Sequence, residues 1–213
     1  MYDSKKREKL THHFAAMTGG FLGGYAIINH CDIFGNAQTV NMIKMIKELF
    51  CGNFSVLPFL LICFLVYVAG NVFSAVSEKV FSVDPKAISL VVTAAAVVIT
   101  GLSPAVSNDY LALMPIFFAA PVQWNAFCSA AGYTSSTIFS SNNLRIATTS
   151  LTSYIMTKDE AQRDKAKFYW ATLLFFHIGV ALSCFVSLLF STSGIWFAFI
   201  PLFLTAFTYF YKA

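Results

Sequence analysis

Six apolar runs, each close to the length of a membrane crossing, leave this chain almost nothing with which to dress a water-facing surface. They cover about residues 14–29, 54–76, 87–102, 110–130, 168–190 and 195–211, and a helix needs about 20 residues to cross a hydrocarbon core. Charged residues make up 11% of the 213 positions, against roughly 25% in a soluble domain. The expected fold is an all-α integral membrane protein with six transmembrane helices, a single transmembrane domain over residues 1–213 and no soluble appendage. Pro58 lies near the start of the second run. Pro85 opens the third, and Gly101 and Pro104 close it. Pro115 and Pro121 fall inside the fourth, and the short turn 191–194 predicts that the last two runs pair as an antiparallel hairpin.

Charge sets the orientation. With the N-terminus inside, 12 of the 14 basic residues fall on inner segments and only Lys44 and Lys47 on outer ones. This bias predicts a multi-pass protein of the cell (inner) membrane with both termini cytoplasmic, Lys212 included. The basic cluster Lys5, Lys6, Arg7 and Lys9 before the first run resembles the head of a signal peptide. The glycines that interrupt the run, and the absence of an Ala-x-Ala-like site leading into a soluble domain, favour a retained first helix instead. The five cysteines (Cys31, Cys51, Cys63, Cys128 and Cys184) show no CxxC spacing, so neither a disulfide framework nor a zinc site is expected. No cofactor and no metal are expected, and no nucleic-acid partner, because the basic residues sit in short clusters between apolar runs.

Within this lipid-compatible chain a polar, Asn-rich element occurs twice, each time just after an apolar run. The first copy is Phe34-Gly35-Asn36-Ala37-Gln38-Thr39-Val40-Asn41 and the second is Ile138-Phe139-Ser140-Ser141-Asn142-Asn143-Leu144-Arg145. Setting Asn41 on Asn143 is a shift of 143 − 41 = 102 residues, and the same shift sets Gly23 on Asn125 and Tyr25 on Phe127. Each element introduces a short helix. Val40, Ile43, Ile46 and Phe50 recur at helical spacing after the first, and Leu144, Ala147, Leu151 and Ile155 after the second. The halves are expected at about 12–104 and 108–212. Three spans per half is an odd number, so the second half begins on the opposite side, which makes a 3+3 inverted repeat with a short or broken helix after the first helix of each half. The alternative counts the two short helices as full spans, giving eight helices and a parallel repeat.

Irregular backbone at membrane depth is tolerated only where it is buried in protein or lines a wet cavity. A short helix that starts there aims free N–H groups and the positive end of its dipole at whatever fills the cavity. Asn36, Gln38, Thr39 and Asn41 would then line a chamber from one half, and Ser141, Asn142 and Asn143 from the other. Gln123 and Asn125 on the fourth run could reach the same place. The competing reading is that these residues are ordinary helix caps and interhelical hydrogen-bond glue.

Arg145 could neutralise an anionic solute or mark the inner interface. His177, inside the fifth run, could relay a proton or be a neutral hydrogen-bonded histidine. His30 ends the first run beside Asp32, and Asp32 and Asp109 are expected at the outer surface. Gly19–Gly23 and Gly20–Gly24 form two overlapping GxxxG pairs, which predict close helix contact within the fold or in a homo-oligomer. Trp170, Tyr209 and Tyr211 are candidate interfacial anchors. No spacing supports hydrolytic or redox catalysis, so an enzyme is not expected.

At these residues the chain resembles the YoaK-like family of small bacterial inner-membrane proteins, long classed as a domain of unknown function. The matching pieces are Gly19-Gly20-Phe21-Leu22-Gly23-Gly24-Tyr25, Asn36-Ala37-Gln38-Thr39-Val40-Asn41, Gln123-Trp124-Asn125 and Ser141-Asn142-Asn143-Leu144-Arg145. Gly23 stands where that family tends to have Asp, and Val40 where it tends to have Gly. The resemblance implies the fold but no substrate. The expected function is transport of a small solute or ion across the lipid bilayer, through a polar uncharged site between the halves. The alternative is a non-transporting membrane scaffold or partner subunit whose polar motifs only hold helices together.

Overall fold

Helix α1 (Tyr2–Asn29) runs through the middle of the protein, and from Thr11 to Ala26 nearly every side chain is buried. A helix surrounded by protein has no need of large lipid-facing side chains. Between helices in a bilayer, close packing of small residues replaces the hydrophobic drive, and α1 carries Gly19, Gly20, Gly23 and Gly24 at its contacts. A Cβ on Gly20 would stand 2.0 Å from the carbonyl oxygen of Phe176, and one on Gly179 would stand 2.0 Å from that of Met17. The two backbones therefore touch. The glycine pairs are taken up inside the chain, so the faces they form are not free for a second copy.

The computed structural model describes residues 2–30, 33–80, 82–103 and 108–211. Cys31, Asp32, Pro104 and Lys212, each given a place above, lie outside them. After α1 come α2 (Thr39–Phe50), α3 (Leu57–Lys79), α4 (Pro85–Leu102), the single turn α5 (Asp109–Ala112) and α6 (Met114–Ala126). A two-residue hairpin, β1 (Ser129–Ala130) with β2 (Tyr133–Thr134), then leads to α7 (Ser141–Thr157) and α8 (Glu160–Phe190). A 3-10 segment, Ser191–Ala198, joins α8 to α9 (Phe199–Phe210).

Both short helices expected after the polar elements form, as α2 and α7. Two expectations are corrected. The fourth run does not stay helical to residue 130: α6 stops at Ala126, and Ala131 and Gly132, both with positive φ, make the tight turn of the hairpin. The last two runs are not joined by a short turn into a simple helical pair. The chain reverses at Ser191 (φ 52°), the 3-10 segment returns along α8 with Gly194 against Val186, and α9 packs chiefly on α1.

Among the described residues three helical stretches are long and apolar enough to cross a membrane: Leu57–Lys79, Pro85–Leu102 and Glu160–Phe210. Their outer faces carry exposed Val72, Val91, Phe185, Leu188 and Phe203. The expected first and fourth runs, now α1 and the α5–α6 pair, are not among them. Both lie largely inside the bundle, α1 with its four glycines at helix contacts and α6 with buried Phe117 and Gln123.

The starts of the two short helices keep the shift of 102 residues. The residues preceding α2 and α7, Gln38 and Ser140, are 102 apart, and α3 and α8 begin at Leu57 and Glu160. Helix α1 packs against α8 and α9, while α6 packs against α3 and α4.

Candidate functional site

Each short helix is held by an asparagine folded back onto its own break. Asn143, 2% exposed, donates from Nδ2 to the carbonyl of Ser136 (2.7 Å) and accepts at Oδ1 from the Ser135 hydroxyl (3.0 Å) and the Ser136 N–H (3.3 Å). Asn41 donates to the carbonyls of Phe34 (3.4 Å) and Ala37 (3.5 Å) and to Gln38 Oε1 (3.4 Å). Phe34 and Ser136 are again 102 residues apart. An asparagine therefore reaches back seven positions to a backbone carbonyl in both elements, more tightly in the second.

The two breaks meet at Asn36. Its side chain, 1% exposed, donates to the carbonyl of Gly19 on α1 (2.7 Å) and to that of Ile138 in the second break (2.9 Å). Gly19 and Gly23 make room for this contact. A Cβ on Gly19 would lie 2.1 Å from the Thr137 carbonyl oxygen, and one on Gly23 would lie 2.6 Å from Asn36 Nδ2. Gln123 arrives from α6 and donates to the carbonyl of Ala15 (2.8 Å) and to Thr137 Oγ1 (3.4 Å). Asn36, Gln123, Thr137 and Ile138 thus form one buried junction on α1. The junction is filled: Asn36, Thr137 and Ile138 are each no more than 1% exposed.

The remaining predicted residues lie elsewhere. Gln38 precedes α2 and serves Asn41 as an acceptor, and Thr39 is exposed. Asn125 is exposed and pairs with Asn71 of α3 (3.0 Å). Asn142 and Arg145 are exposed and bond each other (2.9 Å). Ser141 and His177 share an open groove of about 430 Å³ with Ser140, Leu144 and Trp170. A ring nitrogen of His177 lies 2.7 Å from the Leu173 carbonyl, four residues back; that contact requires a proton on Nδ1. At the far end of α1, His30 Nδ1 lies 3.0 Å from Asp109 Oδ1.

Sequence reasoning missed a second polar cluster beside the junction. Buried Ser89, Thr93 and Thr100 lie on one face of α4, spaced by helical turns with Ala96 between them. Thr205 of α9 and Thr18 of α1 face one another, with their hydroxyl oxygens 3.3 Å apart. Ser89, Thr93, Gln123, Thr18 and Thr205 help line a small cavity of about 10 Å³. The hydroxyl of Ser89 and both ring nitrogens of His12 are buried without a hydrogen-bond partner among the described residues. His13, next to His12, meets Thr172 of α8 (3.2 Å). The visible signal was the four-residue spacing of Ser89 and Thr93 in an otherwise apolar run.

These features define a largely helical protein with three membrane-length apolar stretches, in which two matched Asn-held breaks dock on a buried first helix. A family model described as Protein of unknown function (DUF1275) matches residues 12–208, and the chain belongs to that family. No curated protein and no solved structure matches it.

Proposed function

We propose that the chain is a small-solute or ion transporter of the cytoplasmic membrane, built as a 3+3 inverted repeat with halves near 12–104 and 108–212. Both termini are cytoplasmic in this reading, which the YoaK-like motifs also suit. The observation that carries it is the pair of equivalent asparagine loops meeting through Asn36. Discontinuous helices from two related halves converging near mid-bundle are the usual setting of a transport site, and alternating access works by rocking one half against the other. The filled junction is then one end state, and parting Asn36 from Ile138 opens the path. A neutral lining suits a neutral or zwitterionic solute.

The filling of the junction favours a second reading. Asn36 and Gln123 both donate their amide N–H groups to backbone carbonyls at the meeting point, as in a scaffold or partner subunit whose polar residues only join helices. Reconstitution separates the two. Purified protein is screened by thermal shift against amino acids, sugars, nucleosides and halides, since a specific ligand raises the melting point by mass action. Hits are then tested for uptake into proteoliposomes. Transport requires one class that both stabilises and enters. Absence of uptake across all classes leaves the scaffold.

A further inference from the structure

We propose that the open groove between α7 and α8 binds a medium-chain carboxylic acid from the lipid phase, with its carboxyl group on His177 and its chain along Trp170. The groove, of about 430 Å³, is mostly apolar, and topology gathers its polar groups at one end. Helices α7 and α8 follow one another across a tight turn at Lys158 (φ 57°) and pack together, so they run antiparallel. The start of α7 therefore lies beside the middle of α8. Ser140 and Ser141 fall at the His177 end, and Leu144, one turn on, falls toward Leu173 and Trp170. Along α8, Trp170, Leu174 and His177 lie on successive turns, a row about 10 Å long.

His177 sits where a lone imidazole is expensive. It lies near the middle of α8, within the apolar stretch Glu160–Phe210, and its side chain is exposed. Ionisable groups on membrane-length helices face protein or water, or pair with another group. The Nδ1–H goes to the Leu173 carbonyl (2.7 Å). In the neutral ring Nε2 then carries a lone pair and can only accept. Among the described residues nothing donates to it. An occupant must therefore bring a proton donor. A carboxylic acid brings one and more: its O–H donates to Nε2, and its carbonyl accepts from the Ser141 hydroxyl, which is exposed and makes no other hydrogen bond among the described residues. The uncapped start of α7 turns the positive end of its dipole toward the same carbonyl. A methyl ester has no proton to give, and an ammonium meets the wrong end of that dipole. Leu144, Leu173, Leu174 and the Trp170 ring offer the chain an apolar wall.

This site stands apart from the Asn36 junction and is tested without transport. The full chain carrying Trp124→Phe and Trp196→Phe keeps Trp170 as its one tryptophan. In dodecylmaltoside it is titrated with octanoic acid brominated at the far end of its chain, the bromine quenching indole fluorescence on contact. The expected result is saturable quenching by the acid, while its methyl ester and the matching amine give only the shallow, non-saturating loss of micelle partitioning. Thermal shift on the unmodified chain should return the same midpoint. His177→Phe keeps a ring but removes the acceptor, and raises the midpoint by about tenfold or more. Ser141→Ala raises it by about threefold or more, and decides alone should the first variant fail to fold. Non-saturating quenching by all three compounds, or an unchanged midpoint in both variants, overturns the proposal. So does a groove that a second copy already closes, seen as a dimer that the acid neither enters nor dissociates. Solute uptake without acid binding sinks this site alone; acid binding with no uptake of any solute class sinks transport and leaves the site.

Discussion

Replacing Asn36 tests whether the two breaks are fastened by this side chain's hydrogen bonds or merely by shape. Asn36→Ala removes two donated bonds, to the Gly19 and Ile138 carbonyls. The Gly19 oxygen lies inside α1, where it keeps its helical partner, so its loss costs about 1 kcal/mol, the net value of an ordinary hydrogen bond. The Ile138 oxygen belongs to non-helical backbone, and Ile138 is 1% exposed. It is left desolvated and unpaired, at a cost of about 1–3 kcal/mol. The sum is about 2–4 kcal/mol, to be read from unfolding midpoints of purified protein in detergent micelles. Asn36→Asp sharpens the test because it keeps the shape almost unchanged. It sets carboxylate oxygens against two carbonyl oxygens, so it must cost more than alanine. An Asp variant as stable as the parent, or an Ala variant within about 0.5 kcal/mol of it, refutes the assignment.

Three further outcomes follow from the same geometry. Asn143→Ala should cost about 2–3 kcal/mol and Asn41→Ala about 1, because the bonds of Asn143 are shorter and wholly buried; equal losses in the same unfolding assay would remove the distinction. Gly179→Ala forces a methyl onto the Met17 carbonyl oxygen (2.0 Å), so it should cost about 3 kcal/mol or more and lower the yield of folded protein. Glu48 is held below its ordinary carboxylate pKa by hydrogen bonds from Asn53 and Lys47. A depressed folded pKa contributes stability that is present above the unfolded pKa and lost as pH falls through the folded one. Hydrogen exchange at the end of α2 should therefore quicken on acidification, and Glu48→Gln should flatten that response.

The pattern of what was legible in the sequence has a physical cause. Both short helices could be read because α2 and α7 keep an apolar stripe on a polar helix, a contrast that survives in a single sequence. The meeting of the breaks could be read only as far as the offset of 102 residues. It took coordinates to show that Asn36 reaches Ile138 while Asn125, at an equally suggestive position, points outward to Asn71. Polarity says that a side chain needs a partner, not whether the partner is a backbone carbonyl, a solute or another exposed amide. Length and hydropathy also misjudged the interior. The six apolar runs look alike, yet α1 and α6 are wrapped in protein, and for that reason they carry the glycines and the glutamine. The least visible group, Ser89, Thr93, Thr18 and Thr205, is spread over three helices with one or two hydroxyls on each. No single window of sequence contains that cavity; it exists only because α9 comes back to α1. A polar atom buried without need of a helix cap is the more telling kind, since structural glue would have found its own partner. By that standard the unpaired hydroxyl of Ser89 stands apart from the asparagines that first draw the eye, whose amide N–H groups end on backbone carbonyls.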